Sequence, residues 1–257
     1  MQVFQGKLFL SVTLVVVFSL SGLALQRILR QQHPTQNEVV EQNNIEATLT
    51  KLQSGDQSDL LEAKAELLAM GTIAIEPLIS LLKELTNNTD QKGALTSEQA
   101  LEHRKISLDA HANSVAKNAI YDVLGHLRAA EAVPLLVIIM EEEEIDNMIQ
   151  GMSPVMRSLA EIGPAAVPSL IESINKATDS LLILIGPNEA ARQNDLVGGK
   201  GRIELGRIQL RATLVLRAIG DQRAIPALQR LHDTSKNPFI VREAREAIES
   251  IHNRTNR

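Results

Sequence analysis

The chain has 257 residues, of which 44% are hydrophobic and only 2% aromatic, and its formal net charge is −5. That length can bury a sizeable core, and with so few rings the core must be Leu, Ile, Val and Ala. The acidic balance excludes a nucleic-acid surface, which needs clustered Lys and Arg, and the lack of Cys excludes disulfides, thiolate metal sites and Cys nucleophiles.

The run from Leu8 to Leu25 carries no charge and lies between Lys7 and the pair Arg27 and Arg30. At ~1.5 Å per residue it nearly matches a ~30 Å hydrocarbon core, and it exceeds the ~7–15 apolar residues of a signal-peptide core. Residues 1–30 are therefore expected to form an uncleaved signal-anchor helix. A cleaved signal peptide is the alternative, because Gly22-Leu23-Ala24 offers small residues to a signal peptidase. The flanking charges nearly balance and barely orient the segment; the body is expected on the extracytoplasmic, periplasmic side. Residues 31–44 are polar, contain Pro34, and read as a tether.

From Ile45 the pattern turns helical. Ile45, Leu49 and Leu52 keep a 4–3 spacing, Asn44 is a candidate cap, and Ser54-Gly55 ends the element. Ser58 is the expected N-cap of the next helix, with Leu61, Ala65 and Leu68 as its buried stripe and Gly71 closing it. Ile75, Leu78, Ile79 and Leu82 form the stripe of the helix that Pro77 opens.

This phrase, an apolar stripe, a short turn and a proline opening a second apolar run, recurs at 67–82, 124–139, 158–174 and 215–231. Such self-similarity predicts a stacked helical repeat. The repeat prolines 77, 134, 168 and 226 are separated by 57, 34 and 58 residues, so two intervals carry insertions, near 86–109 and 179–202. The first either extends the following helix backwards from Ser97 or gives way to a new helix at Asp109. The second ends in LVGGKGR, expected to be a flexible hinge. In the third copy Ser153 and Pro154 supply an N-cap and a proline at the first helical position. In the fourth, Leu205, Ile208, Ala212, Val215 and Ile219 mark one buried face, closed by Gly220 with Asp221 as the next cap. A last helix, near Pro238 to His252, with Val241, Ala244, Ile248 and Ile251, is expected to be the terminal cap.

The stretch IGDQRAIPALQRL at 219–231 resembles the short bacterial HEAT repeats also found in phycobilisome-lyase-like proteins, and AVP at 132–134 and 166–168 matches the end of that turn pattern. The first copy departs from it, with Thr72 in place of Asp and Glu76 before Pro77. The resemblance implies an all-α, right-handed α-solenoid of about four to five HEAT-like pairs over residues 45–257, preceded by the N-terminal hydrophobic helix. It further implies that the second helices line the concave side, which would carry Lys83, Val137, Ile138, Met140, Glu172 and Arg230.

No catalytic set converges. Repeated His-Glu pairs, as in the di-iron enzyme of this fold, are absent, and Glu102-His103 occurs once in reverse order. LVGGKGR lacks the spacing of a phosphate loop. No metal, cofactor or catalytic residue is expected. The acidic run Glu141–Glu144 falls at the unfavourable end of a helix. Arg202, Arg207 and Arg211 read as a basic, salt-bridging face, with Arg217 farther round. The helix from Val133 to Met140 is apolar all round, so either an insertion covers it or it lines a groove for a partner. The expectation is a non-catalytic scaffold that binds another protein, with the membrane contacted through residues 8–25 and no nucleic acid. The alternative is an accessory enzyme or ligand-binding protein with a pocket formed by the insertions and helix 133–140.

Overall fold

Every regular element among the described residues is a helix. The computed structural model describes residues 36–87, 100–143, 151–185 and 196–255; the apolar segment 8–25 and residues 31–35 of the expected tether lie outside them. The chain divides into two compact units, Met1–Ala47 and Thr48–Arg257. Helix α1 spans Gln36–Gln53. It starts well upstream of Ile45, so residues 36–44 are helical and Asn44 lies inside the element instead of capping it. That stretch, QNEVVEQNN, has only Val39 and Val40 as apolar residues and leaves no apolar period to read, yet its Gln and Glu residues favour helix.

In the second unit, α2 (Gln57–Met70) is capped by Asp56, not by Ser58. The Asp56 carboxylate accepts from the amides of Ser58 (2.7 Å) and Asp59 (3.2 Å). The stripe also differs from expectation. Leu61 is 62% exposed, Leu68 is 37% exposed, and the buried side chains are Ala63 and Leu67 with Leu60 packed beside them. Apolar residues occupy two adjacent registers here, and the small Ala63 marks the inward one.

Gly71 has φ +63 and leads through one turn of 3-10 helix into α3 (Ile75–Asn87), which buries Ile75, Leu78, Ile79 and Leu82 as read. The stretch Gln57–Asn87 is long and apolar enough to cross a membrane by length and composition. Its bend at Gly71 and its wholly buried Leu67, Leu78 and Leu82 make it a packed hairpin of the body.

Helix α4 (Ala100–His126) runs unbroken through Asp109, so the first insertion extends the following helix. Next come α5 (Val133–Glu142), α6 (Pro154–Ile162), α7 (Val167–Ile185), α8 (Leu196–Ile219), α9 (Ile225–Thr234) and α10 (Pro238–Thr255). Ser153 caps α6 as read, accepting from the Met156 amide. LVGGKGR is not a hinge: it forms the opening turns of α8. Each of its glycines costs a helix about 1 kcal/mol against Ala, and the remaining turns of α8 pack on α6, α7 and α10.

The stacking is serial. The first helices α2, α4, α6, α8 and α10 touch one another in chain order; α5, α7 and α9 form the parallel row of second helices, and α3 meets the turn that leads into α5. The turn residues explain the register. Ala74, Ala132, Ala166 and Ala224, one per copy, are each 0% exposed where first and second helices meet. Three copies place a positive-φ glycine at the end of the first helix, Gly71, Gly163 and Gly220.

The second copy has Arg128 there, at φ +51. A side chain in this region is strained by about 1–2 kcal/mol, part of which glycine loses again through backbone entropy. Arg128→Gly is expected to raise the unfolding free energy by about 1 kcal/mol, read as a higher urea midpoint at unchanged slope. A lower midpoint would refute the strain.

Candidate interaction surface

One residue of each of three second helices stands at the same place after the turn alanine: Ile138 on α5, Glu172 on α7 and Arg230 on α9. All three are exposed, Ile138 to 51%, and Lys83 on α3 is exposed as well. The row is tied together across helices. The Ser173 hydroxyl on α7 donates to Glu141 Oε1 on α5 (2.6 Å). The Arg230 guanidinium on α9 donates to Asn175 Oδ1 (3.2 Å) and Asp179 Oδ1 (2.5 Å) on α7. The exposed Arg230–Asp179 pair contributes about 0–1 kcal/mol, so it orders the row more than it holds the fold.

Two of the expected surface residues are not on the surface. Val137 is buried and Met140 has no exposed area. Helix α5 is packed against α6, α7 and α8, so its apolar circumference is covered by neighbouring helices, and Ile138 is the large aliphatic side chain it leaves in solvent.

The arginines of α8 do not form one basic face. Arg207 pairs with Glu204 (2.5 Å), and Arg217 pairs with Glu243 and Glu246 (3.2 Å each). Arg211 is 1% exposed. Its Nη1 donates to the carbonyls of Met140 (2.9 Å) and Glu141 (3.2 Å), and its Nη2 to that of Glu143. It therefore caps the C-terminus of α5, where unpaired carbonyls and the helix dipole gather negative charge.

A buried polar junction surrounds this cap. Burial lowers the Arg211 guanidinium from its usual range, against the pull of Glu143. Burial raises the Glu143 carboxyl, while a hydrogen bond from Ser153 and the charge of Arg211 hold it down. Burial, and to a lesser degree Glu143, pushes the Tyr121 hydroxyl upward. Charges in a low-dielectric site interact strongly and must satisfy one another, and this junction links α4, α5, α6 and α8. No spacing in the sequence pointed to it.

A second cluster was also missed. Asp122 and His126 are four apart on α4, and Glu161 on α6 joins them with ligand atoms all within 4.8 Å. The His126 Nδ1 lies 2.8 Å from the Asp122 carbonyl and 3.3 Å from Glu161 Oε2. The spacing would suit a cation, but the Lys64 ammonium is already paired with Asp122, and the groups are exposed or half-exposed. The cluster is an ion-pair patch tying α2, α4 and α6 at the edge of a cleft of about 350 Å³ lined by Lys64, Asp122, Arg157, Ser158 and Glu161.

No curated protein and no solved structure matches the chain. Residues 208–231, which run from the middle of α8 through the Gly220 turn to Leu231 on α9, match the family model described as the PBS lyase HEAT-like repeat. The chain thus carries, in its C-terminal hairpin, a repeat of the PBS lyase HEAT-like family.

Proposed function

We propose that the chain is a non-catalytic protein-interaction scaffold held at the cell envelope, with residues 8–25 attaching it to the membrane and the helical body on the extracytoplasmic side. HEAT-like repeats generally serve as protein-interaction scaffolds. The observation that carries the reading is Ile138. A large aliphatic side chain is left half in solvent on a helix whose other large aliphatic side chains are buried or half-buried, in the same row position that Glu172 and Arg230 hold in the later copies. An apolar anchor inside a polar, charged rim is the anatomy of a protein-binding hot spot. A pocket beside Met140 is a poorer reading, because that side chain is sealed and the clefts against α2, α4 and α6 and against α7, α8 and α10 are lined by other residues.

The test is site-specific photo-crosslinking in intact cells. A crosslinker at position 138 or 172 is expected to capture one discrete protein, and one at Glu62, on the row of first helices, is expected to capture none. Ile138→Asp is expected to reduce that crosslink from position 172 roughly tenfold without lowering the melting temperature. Equal labelling from both rows, or none from 138 and 172, would remove the scaffold reading. Protease protection of the body in intact cells, lost on outer-membrane permeabilisation, tests its extracytoplasmic side.

A further inference from the structure

A cleft of about 260 Å³ opens between the C-terminal half of α7, the opening turns of α8 and the junction of α9 with α10. Its apolar wall is Leu181, Leu182 and Ile240, and both charged groups among its described lining residues are cations, Arg202 and Lys236. Among the described residues, no acid pairs with Arg202.

Gln209 and Thr178 also line the cleft, and their hydrogen bonds fix which way the amide points. The Thr178 hydroxyl donates to the Ile174 carbonyl (2.7 Å). Its oxygen is therefore an acceptor for Gln209 Nε2 (3.0 Å). That assignment turns Gln209 Oε1 away from Thr178, and Oε1 has no partner although the residue is buried. A buried amide oxygen without a donor is disfavoured, and native structures keep few of them.

Arg202, Gly206 and Gln209 recur at i, i+4 and i+7 and so share one face of α8. Gly206 leaves the space between the two polar residues without a side chain. Ile183, Ile203 and Phe239, chain neighbours of the lining residues Leu182, Arg202 and Ile240, are large apolar side chains in solvent.

We propose that this cleft binds the free C-terminal end of a peptide whose last residue is aliphatic. The fit is chemical at each point. The Arg202 guanidinium takes the terminal carboxylate as a forked donor. The last peptide N–H donates to Gln209 Oε1, the amide atom left over when Nε2 is held by Thr178. The aliphatic side chain rests on Leu181, Leu182 and Ile240, and the preceding residues pass over Ile203 and Phe239. The volume lies just below the ~300 Å³ at which pockets begin to take whole drug-sized ligands, so it suits one terminal residue. The cleft shares no residue with the row of Ile138, Glu172 and Arg230, and the assignment stands whether or not a partner docks on that row.

The experiment uses the full-length chain in detergent and a fluorescein-labelled pentapeptide ending in Ala-Leu, as the free acid and as the C-terminal amide. Fluorescence anisotropy is expected to show saturable binding of the acid, with the amide at least tenfold weaker. Arg202→Ala is expected to weaken the acid at least tenfold. Gln209→Met is expected to weaken it severalfold while melting no lower than the parent, because the substitution removes an unpaired acceptor. The proposal is overturned if the acid does not bind, if acid and amide bind alike, or if Gln209→Met binds like the parent. Displacement by N-acetyl-leucine at the same affinity as the peptide would also overturn it, in favour of a small free acid.

Discussion

Arg211→Met is expected to lower the unfolding free energy of the helical body by about 3–5 kcal/mol, the range for removing one partner of a buried charged set. The guanidinium is 1% exposed and donates to three carbonyls at the end of α5. Methionine fills most of the space and supplies none of the donors. The carbonyls of Met140, Glu141 and Glu143 then face a low-dielectric interior unpaired, beside a Glu143 carboxyl that has lost its neighbouring cation. Arg211→Lys is not expected to rescue, since an ammonium is a point donor and cannot reproduce a planar fork across three acceptors. Arg207→Met is the control: its pair with Glu204 is on the surface and is worth at most about 1 kcal/mol. Urea denaturation of the three variants at unchanged slope gives the comparison. A loss near that of Arg207→Met would mean that the buried cap does not hold α5 and α8 together.

The same residue marks where sequence reading ended. The turns were legible because their chemistry is local. Gly71, Gly163 and Gly220 take positive φ, and prolines enter where the first amides of a helix have no acceptor. The stripe of α3 was legible because Ile75, Leu78, Ile79 and Leu82 share one face, with Leu81 at its edge buried as well. In α2 and α10 two adjacent registers are apolar, Leu60 beside Leu61 and Ile240 beside Val241, and the structure buries the other member of each expected pair more deeply. Helix α8 follows the stripe only in part. It is packed by α5, α6, α7 and α10, so its buried arc keeps Ala212 and Val215 as read, adds Gln209, Arg211, Thr213 and Leu216, and leaves Leu205, Ile208 and Ile219 only half-buried. Arg211 sits among arginines at surface-like spacing, and its partners lie about 70 residues away in the chain. A single sequence carries no mark of such a pairing. Of the expected surface residues, Lys83, Ile138, Glu172 and Arg230 were legible as exposed positions of second helices. Val137 and Met140 were not, because how many neighbours cover α5 is a property of the stack.

Two helical glycines, Gly206 inside α8 and Gly125 in the last turn of α4, are expected to respond in opposite directions to the same methyl group. Helix propensity favours alanine by about 1 kcal/mol in a helix interior and by less at a helix end. At Gly206 a Cβ would meet Ile240 Cδ1 at 3.6 Å, ordinary contact, so Gly206→Ala is expected to raise stability by up to about 1 kcal/mol. At Gly125 a Cβ would lie 2.5 Å from Glu161 Oε2, 3.1 Å from Ser158 Cα and 3.3 Å from Glu161 Cβ. The carboxylate tip can swing aside, but the Ser158 contact is backbone, and α4 and α6 must part to admit the methyl. Overpacking of this kind costs about 1–3 kcal/mol, and the expected net loss for Gly125→Ala is about 2 kcal/mol. Adding Glu161→Ala separates the two obstacles. If the backbone contact dominates, the double variant recovers only a small part of the loss; recovery to the parent midpoint would place the whole effect on the carboxylate. A Gly125→Ala variant as stable as the parent would mean that α4 and α6 are not in close contact at all, and the serial packing of first helices would lose one of its joints.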